Sequence, residues 1–431
     1  MKTAHIVTLG CPKNEADSER LAGIMARAGF SLTDKSEGVD LILLNTCGFI
    51  QPAVEEGIST MLDMETMKAR GDVKALAVVG CMVNRYGDDL KKEFPTVDYW
   101  ARSEQWQELI ESMGATYLGD GRHILTRTPW TRYLKISEGC NCQCSYCAIP
   151  GIRGRLCSRP IDELVQEAGR LVSEGAKELC LVGQELTEYG ADLYKKRSLP
   201  KLLTELEKTL PQSVWLRLFY LHPSHLDTAL LEQIASSKQI VPWLDVPIQH
   251  IDNQVLERMA RPPVETKIRS LFKIAREINP DFAFRTTLMV GFPGETRRQF
   301  DRLLDFVEDI QFDRLGAFTY SPEDGTKAAS FPDQIPEDEK GRRYDELMSL
   351  QQSISRRRQA LFVGRRLDVL VEEVDQDGTR WGRSYRDAPE IDGAVALSGS
   401  ASQPGDIVSA LIDDSSEYDL FGRPVESEGK S

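Results

Sequence analysis

Three cysteines within one short segment are the strongest chemical signal in the sequence. Cys140, Cys144 and Cys147 have the spacing C-x3-C-x2-C, in a loop that follows a predicted strand. Three thiolates on one loop can bind three irons of a cubane cluster and leave the fourth iron open for chemistry. A structural zinc site is the alternative, but such a site uses four closed ligands, usually from two separated cysteine pairs. The spacing therefore favours an iron–sulfur site with one open position.

Three other cysteines lie in or near this segment. Cys142 is inside the loop, and as a fourth ligand it would close the open iron, so we predict that it is a bystander. Cys157 is predicted to be a free thiol. Cys180 lies in the apolar run Leu179–Val182 and is predicted to be a buried core residue. None of the three is assigned to a metal site.

A second group of cysteines is spread through the first part of the chain. Cys11, Cys47 and Cys81 each come just after a predicted strand. The carboxyl ends of parallel strands meet at one edge of an α/β sheet, which is where ligands collect. Any one of these cysteines alone would more often be a small buried hydrophobic residue. Their shared position after three successive strands predicts a second site with three thiolates and an open position.

Residues 1–117 have the pattern of a small α/β domain with a parallel sheet. Short apolar runs alternate with segments whose apolar residues recur at helical spacing. The predicted strands are His5–Leu9, Val39–Leu44 and Ala75–Val79. Residues 118–130 are rich in turn-forming residues and are predicted to be a connection.

Residues 126–360 return to alternating strands and helices and end in a mainly helical segment. Six predicted strands indicate a partial (βα)6 TIM-like barrel, and such barrels carry their active sites at the carboxyl ends of the strands. The strands are Tyr133–Ile136, Leu179–Val182, Val214–Phe219, Trp243–Val246, Phe284–Val290 and Leu315–Tyr320. The loop with Cys140 follows the first of them.

Residues 362–431 change to short β-rich runs separated by Gly, Asp and Pro, which predicts a small antiparallel β-barrel. The runs are Leu367–Val371, Ala394–Leu397 and Ile407–Ile412, and the residues after Val425 are predicted to be disordered. From Leu361 onward, seven Lys and Arg face fifteen Asp and Glu, within a chain whose formal net charge is −14. This charge disfavours RNA binding by the barrel and favours a basic protein partner.

The composition is typical of a multidomain globular protein. The 431 residues allow two to four domains of roughly 100–200 residues each. No apolar run approaches the roughly 18 residues that a bilayer span needs, and the first residues lack the apolar centre of a signal peptide. The chain has nine cysteines, which is an odd number, and most of them lie in clusters. This indicates metal ligation rather than disulfides. We expect a cytoplasmic monomer with no membrane partner.

The two cysteine groups, the segment Cys-Ala-Ile-Pro at 147–150, Arg153-Gly154 and the terminal barrel together resemble the methylthiotransferase family of the radical S-adenosylmethionine (SAM) superfamily. The resemblance covers essentially the whole chain and implies that the last domain is a TRAM domain. It also implies two [4Fe–4S] clusters, one on each cysteine group, with SAM as cofactor and an electron donor such as flavodoxin or ferredoxin. Catalytic residues beyond the cluster ligands stay unassigned.

Four residues are assigned to SAM by the same resemblance. Tyr146 matches the aromatic residue before the last cysteine of the loop. Gly183-Gln184-Glu185 resembles a segment whose polar groups receive the SAM ammonium; one acid is replaced by Gln, which leaves Glu185 as the charged partner. Gly291 and Gly294 follow the fifth barrel strand. Because glycine has no side chain, the backbone at these positions would be able to approach the adenine or ribose of SAM. Taken alone, a Gly-Pro-Gly turn is usually only a turn.

The segments at 9–14, 45–50, 133–140, 320–326 and 387–393 are similar to the family branch that modifies ribosomal protein uS12. The tRNA-modifying branch usually carries Gly-Cys-Gln-Met-Asn where this chain has Gly-Cys-Pro-Lys-Asn. The resemblance implies that a 5'-deoxyadenosyl radical removes a hydrogen from the β-carbon of a uS12 aspartate, free or on the small ribosomal subunit. Sulfur would come from the N-terminal cluster and the methyl group from a second SAM. Methylthiolation of tRNA adenosine is the alternative within this class, and a non-catalytic RNA-binding protein with structural metal sites is the alternative outside it.

Overall fold

The structure is a computed structural model that describes residues 2–126, 128–262 and 264–425. The disorder predicted after Val425 concerns residues outside these ranges. Within them the chain forms an N-terminal α/β domain, a central barrel and a small C-terminal barrel. No helix in the described part of the chain is both long and apolar enough to cross a membrane.

The N-terminal domain is a five-stranded sheet in the order β2-β1-β3-β4-β5, with every neighbouring pair parallel. Apolar clusters pack on both faces, which explains why β3 and β4 are almost continuously apolar. The three predicted strands are confirmed, whereas β2 and β5 were not predicted. The elements are β1 Lys2–Thr8, α1 Pro12–Arg27, β2 Phe30–Leu32, β3 Val39–Thr46, α2 Gln51–Arg70, β4 Val73–Gly80, α3 Cys81–Glu93, β5 Tyr99–Ala101 and α4 Trp106–Ser112.

All six predicted strands of the central barrel are present, as two parallel sheets in the orders β6-β9-β10 and β11-β12-β13. A parallel bridge pairs Leu216 of β10 with Ile240, three residues before β11, at the junction of the two sheets. The elements are β6 Thr131–Lys135, β7 Ser137–Glu138, α5 Ile149–Arg153, β8 Cys157–Ser158, α6 Ile161–Ser173, β9 Glu178–Val182, α7 Leu199–Thr209, β10 Trp215–Leu218, α8 Thr228–Ser236, β11 Trp243–Asp245, α9 Asn253–Arg258, α10 Glu265–Ile278, β12 Ala283–Val290, α11 Arg297–Ile310, β13 Arg314–Thr319, a 3-10 helix Ala328–Ser330 and α12 Glu337–Ala360.

The C-terminal domain is a closed barrel in the order β14-β15-β16-β18-β17. Its pairs are antiparallel as predicted, except that β16 and β18 are parallel. The strands are β14 Arg366–Val374, β15 Arg380–Arg383, β16 Val395–Leu397, β17 Ile407–Ser415 and β18 Leu420–Pro424.

Buried ion pairs hold the N-terminal domain on the central barrel. Glu19 of α1 pairs with Arg132 of β6 at 2.9 Å and also with Arg122. Asp17, two residues earlier on α1, pairs with Lys135 and with Arg153, the latter at 3.0 Å. Since these charges are almost fully buried, removing one partner would leave the other uncompensated in the interface. The two domains are therefore fixed relative to each other at the residues that flank both cysteine groups.

Candidate active site

The N-terminal cysteines lie at one edge of the first sheet. Cys11 follows β1 and is the N-cap of α1, Cys47 follows β3, and Cys81 follows β4 as the first residue of α3. Because β1, β3 and β4 are neighbouring parallel strands, their carboxyl ends meet. This is the edge at which the strand pattern predicted a ligand site.

Close backbone approach brings the three cysteine loops together. A Cβ atom on Gly10 would lie 2.6 Å from the Cβ of Cys47 and 3.1 Å from its Sγ. A Cβ atom on Gly48 would lie 3.0 Å from the carbonyl carbon of Cys81. Gly10 also has φ +98°, a left-handed conformation that favours glycine. Side chains at these positions would push the cysteines apart.

Hydrogen bonds fix the same three loops. The Asn14 side-chain amide donates to the carbonyls of Leu9 at 2.8 Å and Thr46 at 3.0 Å. The Thr46 hydroxyl donates to the carbonyl of Val79 at 2.6 Å and accepts from the N–H of Met82 at 3.3 Å. The residues adjoining Cys11, Cys47 and Cys81 are thus held by direct bonds between loops.

The electrostatics of these thiols reflect their proximity. Burial, together with the neighbouring Cys47 and Cys11, raises the pKa of Cys81 to about 11. Burial and the charge of Cys11 also raise the pKa of Cys47. At Cys11 burial acts in the same direction, but Lys13 and the backbone N–H groups of Asn14 and Lys13 outweigh it and lower the pKa. Metal coordination deprotonates thiols and offsets such repulsion, so this donor set suits a metal cluster.

The loop after β7 brings its own cysteines together. The N–H of Cys147 donates to the carbonyl of Cys144 at 3.1 Å, and that of Cys140 donates to Gly154 at 3.1 Å. Burial raises the pKa of Cys147 to about 12, and the charges of Cys144 and Cys142 act in the same direction. Ser145 anchors the loop by donating to Met259 at 2.9 Å.

Cys142 interacts with its neighbour in the loop. Its N–H donates to the Sγ of Cys140 at 3.3 Å, and hydrogen bonding to Cys142 lowers the pKa of Cys140. Cys142 lines a cavity of about 310 Å³ with Cys140, Asn141, Gln143, Pro150 and Arg155. The bystander role of Cys142 stays a prediction. Cys157 is free and exposed and Cys180 is fully buried, as expected.

Glu185 has an unpartnered carboxylate oxygen beside this loop. Its Oε1 accepts from the N–H of Thr187 at 2.7 Å and from the Thr187 hydroxyl. Its Oε2 is buried without a hydrogen-bond partner, and Nδ1 of His225 lies 3.6 Å from it. A buried carboxylate oxygen of this kind suits a cationic ligand such as an ammonium group. Gln184 instead donates to Glu138 at 2.6 Å.

His225 was not among the predicted site residues. Its Nδ1 lies 3.1 Å from Oε1 of Glu188, and ligand atoms of Glu185, Glu188 and His225 lie within 4.8 Å of one another. The ring of His222 is 4.9 Å away. The only signal in the sequence is the position of both histidines just after β10, at the carboxyl end of a barrel strand.

The other residues assigned to SAM have packing partners within the chain. The hydroxyl of Tyr146 accepts from Arg261 at 3.2 Å. Gly291 and Gly294 have φ of +73° and +75°, and the space beside their Cα atoms is filled by Lys340 and Arg258 respectively. The glycines are therefore required by packing, and the contacts of these three residues with SAM stay predictions.

Arg153 connects the two cysteine groups. Its Nε donates to Sγ of Cys81 at 2.9 Å, and Nη2 donates to Oδ1 of Asn14 at 2.7 Å. Its Nη1 donates to Glu138 at 2.8 Å, two residues before Cys140. One buried guanidinium thus contacts the first site directly and the segment that leads into the second.

Lys13 also faces the central barrel. Its ammonium lies 4.2 Å from the centre of the Tyr220 ring. Burial disfavours the charged form, but the charges of Cys11 and Tyr220 outweigh this and raise the pKa of Lys13. The side chain is therefore cationic at neutral pH.

Comparison with known proteins gives three domain matches and full-length relatives. Residues 3–102 match the uncharacterized protein family UPF0004, residues 134–307 the radical SAM superfamily, and residues 363–425 the TRAM domain. The ribosomal protein uS12 methylthiotransferase RimO of Aquifex aeolicus is 41% identical, covering 98% of this chain and 97% of the relative. The RimO of Trichlorobacter lovleyi is 40% identical and covers 98% of each chain. This chain belongs to the RimO family.

Members of the RimO family are radical SAM methylthiotransferases, so this protein is an enzyme that uses SAM and a [4Fe–4S] cluster. Solved structures agree with the fold. The radical SAM methyltransferase TsrM of Kitasatospora setae superposes with a TM-score of 0.55 at 14% identity, covering 74% of this chain and 73% of TsrM. The cobalamin-dependent enzyme OxsB superposes with a TM-score of 0.53 at 12% identity, covering 82% of this chain and 56% of OxsB. At these identities the likeness concerns the fold alone.

Proposed function

We propose that this enzyme inserts a methylthio group at the β-carbon of an aspartate in ribosomal protein uS12. The RimO relatives, at about 40% identity over nearly the whole chain, are named for this substrate. The observation that carries the proposal is the position of Arg153, which contacts Cys81 of one cysteine group and Glu138 beside the other. A reaction that joins C–H activation to sulfur transfer needs both sites next to one substrate.

In this proposal each cysteine group holds one [4Fe–4S] cluster and leaves one iron open. The ligands are Cys11, Cys47 and Cys81 in the N-terminal domain and Cys140, Cys144 and Cys147 in the central barrel. The convergence of the N-terminal loops and the mutual influence of their thiols support the first set. When bound, the clusters and SAM supply the one-electron chemistry that activates an unreactive C–H bond and the sulfur that is transferred.

The protein's own residues bind and orient the reactants. The free Oε2 of Glu185 accepts the SAM ammonium, while Thr187 fixes the other oxygen. Arg153 keeps the two domains in register by pairing with Asp17 and Glu138. A side-chain base is of no use here, because the hydrogens on an aspartate β-carbon are far too weakly acidic for proton transfer at neutral pH.

The partners follow from charge and chemistry. The outer surface of the C-terminal barrel is acidic and suits a basic ribosomal protein, free or on the small subunit. Its exposed carboxylates are Asp368, Glu373, Asp375, Asp377, Asp406, Asp413 and Asp414. This surface would repel tRNA phosphates, so the tRNA alternative is not favoured. A flavodoxin or ferredoxin supplies electrons to the enzyme, which acts as a monomer in the cytoplasm.

The experiment uses the full-length enzyme reconstituted with iron and sulfide under anaerobic reducing conditions. Purified uS12 and unmodified tRNA are each incubated with SAM and analysed by mass spectrometry. We expect a methylthio mass increment on one uS12 aspartate and none on tRNA. A variant with Ala at Cys140, Cys144 and Cys147 is the control and should be inactive. Modification of tRNA without modification of uS12 would overturn the proposal.

A further inference from the structure

Lys13 reaches from the N-terminal domain into the mouth of the central barrel. It lies in the first turn of α1, two residues after Cys11. Its ammonium sits over the ring of Tyr220, which follows β10. The backbone N–H of Tyr220 donates to Asp245 at 3.0 Å, which fixes the chain there. Lys13 is therefore close to one cysteine group and to the strand ends at which TIM-like barrels carry out chemistry.

The ammonium of Lys13 has no carboxylate partner in the described part of the chain, and Cys11 is the neighbouring group whose charge acts on it most. Among residues 2–126, 128–262 and 264–425, the ammonium contacts the face of the Tyr220 ring and forms no hydrogen bond or ion pair with a carboxylate. The buried lysines differ from it: Lys135 pairs with three carboxylates, and Lys340 donates to the carbonyl of Tyr320 and to Glu337. Removing an ammonium from water is costly unless an anion pairs with it. Lys13 is thus arranged for an anion that enters from outside.

The neighbouring carboxylates have other partners. Glu138 is bound by Lys135 and Arg153, each at 2.8 Å. Asp245 is bound by Arg285 at 2.9 Å. The positive charge of Lys13 is therefore available to a ligand that reaches the strand end beside Tyr220.

We propose that Lys13 binds the side-chain carboxylate of the substrate aspartate. This inference rests on the function proposed above. The carboxylate of an aspartate is attached directly to its β-carbon, so an ion pair with Lys13 holds the reacting carbon near Cys11 and leaves its C–H bonds free. A charge-assisted hydrogen bond also selects aspartate over asparagine.

The test measures binding and turnover by the reconstituted full-length enzyme. The ligands are uS12 and a uS12 variant with Asn in place of the target aspartate. Lys13→Met and Lys13→Gln remove the charge, and Lys13→Arg keeps it. Lys74→Met is the matched control, because Lys74 is in the same domain but 79% exposed. Iron content and SAM affinity are measured for every variant.

We expect both neutral variants to weaken binding of uS12 about 10- to 100-fold, the usual effect of losing a charged hydrogen bond. For the uS12 variant that carries Asn, the neutral enzyme variants should have the same affinity as the wild-type enzyme. Lys13→Arg should restore much of the binding, and Lys74→Met should leave it unchanged. Iron content and SAM affinity should stay at wild-type levels.

Three results would overturn the inference alone. The first is wild-type binding and turnover of uS12 by the neutral variants. The second is loss of iron from them, which would make Lys13 a support for the cluster. The third is weaker SAM binding, which would assign the carboxylate of SAM to Lys13. Failure of the wild-type enzyme to modify uS12 would overturn the proposed function itself, and the inference with it.

Discussion

Arg153 shows how much the site depends on one side chain. Its planar guanidinium presents several donors in fixed directions and uses them on Cys81, Asn14, Asp17 and Glu138. A lysine has a single ammonium on a flexible stem and would not reach this set at once. Because Cys81 lies 72 positions from Arg153 along the chain, the contact exists only once the two domains have packed.

Spacing along the chain predicted the six cysteines, because three lie in one loop and three follow successive strands. It could not predict Arg153, Lys13 or His225 as site residues. Each of these is defined by partners from distant segments, and a single charged residue or histidine in a sequence is most often on the surface or in a loop. Predicting these three residues would have required knowledge of the tertiary contacts between segments.

Cys142 can be separated from its neighbours by mutation. Cys142→Ala should keep the iron of the loop cluster and most of the activity, because Cys140, Cys144 and Cys147 remain as ligands. The substitution removes the thiol bond to Cys140 but keeps the backbone N–H bond. Cys144→Ala is the matched control and should lose that iron. Iron analysis of both reconstituted proteins is the measurement. Loss of iron from Cys142→Ala would make Cys142 a ligand.

Glu185 should govern SAM binding. Glu185→Gln removes the charge of the unpartnered Oε2 and should weaken SAM binding about 10- to 100-fold, as expected for a charged hydrogen bond. Glu188→Gln is the control, since Glu188 already pairs with Arg197 at 2.6 Å. Isothermal titration of SAM into each reconstituted protein gives the affinities. A larger loss for Glu188→Gln than for Glu185→Gln would contradict the assignment.

At the scale of elements, two short edge strands escaped prediction. The six barrel strands were predicted because each lies in a mainly apolar run, whereas β2 and β5 are three-residue strands at the two edges of the first sheet. The strand β15 contains two arginines and β18 contains Gly and Pro. Closure of the barrel forms these strands despite a composition that propensity disfavours.

The C-terminal barrel is tied to the central barrel through Glu178 at the start of β9. Its carboxylate accepts from Arg217 at 2.6 Å and from Arg383 of β15 at 2.7 Å. Burial alone would raise the pKa of Glu178, but the two arginines outweigh burial and lower it from 4.5 to about 2. A lowered pKa means that the ionised form stabilises the fold. This contribution is complete above about pH 4.5 and is lost as the pH falls towards 2.

Glu178→Gln should therefore remove part of the acid sensitivity. At neutral pH the variant should lose about 3–5 kcal/mol of unfolding free energy, since two buried arginines lose a partner. Between about pH 4.5 and pH 3 its stability should fall less steeply than that of the wild type. Urea denaturation followed by circular dichroism across this range is the measurement. Parallel pH profiles for the two proteins would count against this role of Glu178.

At the scale of the molecule, the C-terminal domain is more than an appended barrel. Its loop of residues 384–392 packs into the interior of the central barrel, where Ala388 meets Tyr133, Cys180 and Trp243. Asp387 pairs with Arg314 in the same region. Some acidic residues of this domain are therefore paired with arginines in the interface with the central barrel, while the outer face of the domain keeps its exposed carboxylates. The composition predicted a net negative charge for the domain but not which of its carboxylates are buried and paired.

The exposed acidic face should steer the encounter with uS12. Raising the salt from about 50 to about 500 mM should slow association about tenfold or more, because screening shortens the reach of surface charge. Asp375→Asn with Asp377→Asn should flatten this dependence. Glu93→Gln, an exposed acid of the N-terminal domain, is the control. The measurement is the rate of association with uS12 by stopped flow across the salt series. An identical dependence of the rate on salt for all proteins would exclude steering by this face.

The central claim is that two separate three-cysteine sites each hold a cluster. Iron and sulfide analysis of three reconstituted proteins tests it most directly: the wild type, a variant with Ala at Cys11, Cys47 and Cys81, and one with Ala at Cys140, Cys144 and Cys147. We predict about eight irons in the wild type and about four in each variant. A wild type with about four irons, or a variant that loses all of its iron, would contradict the account.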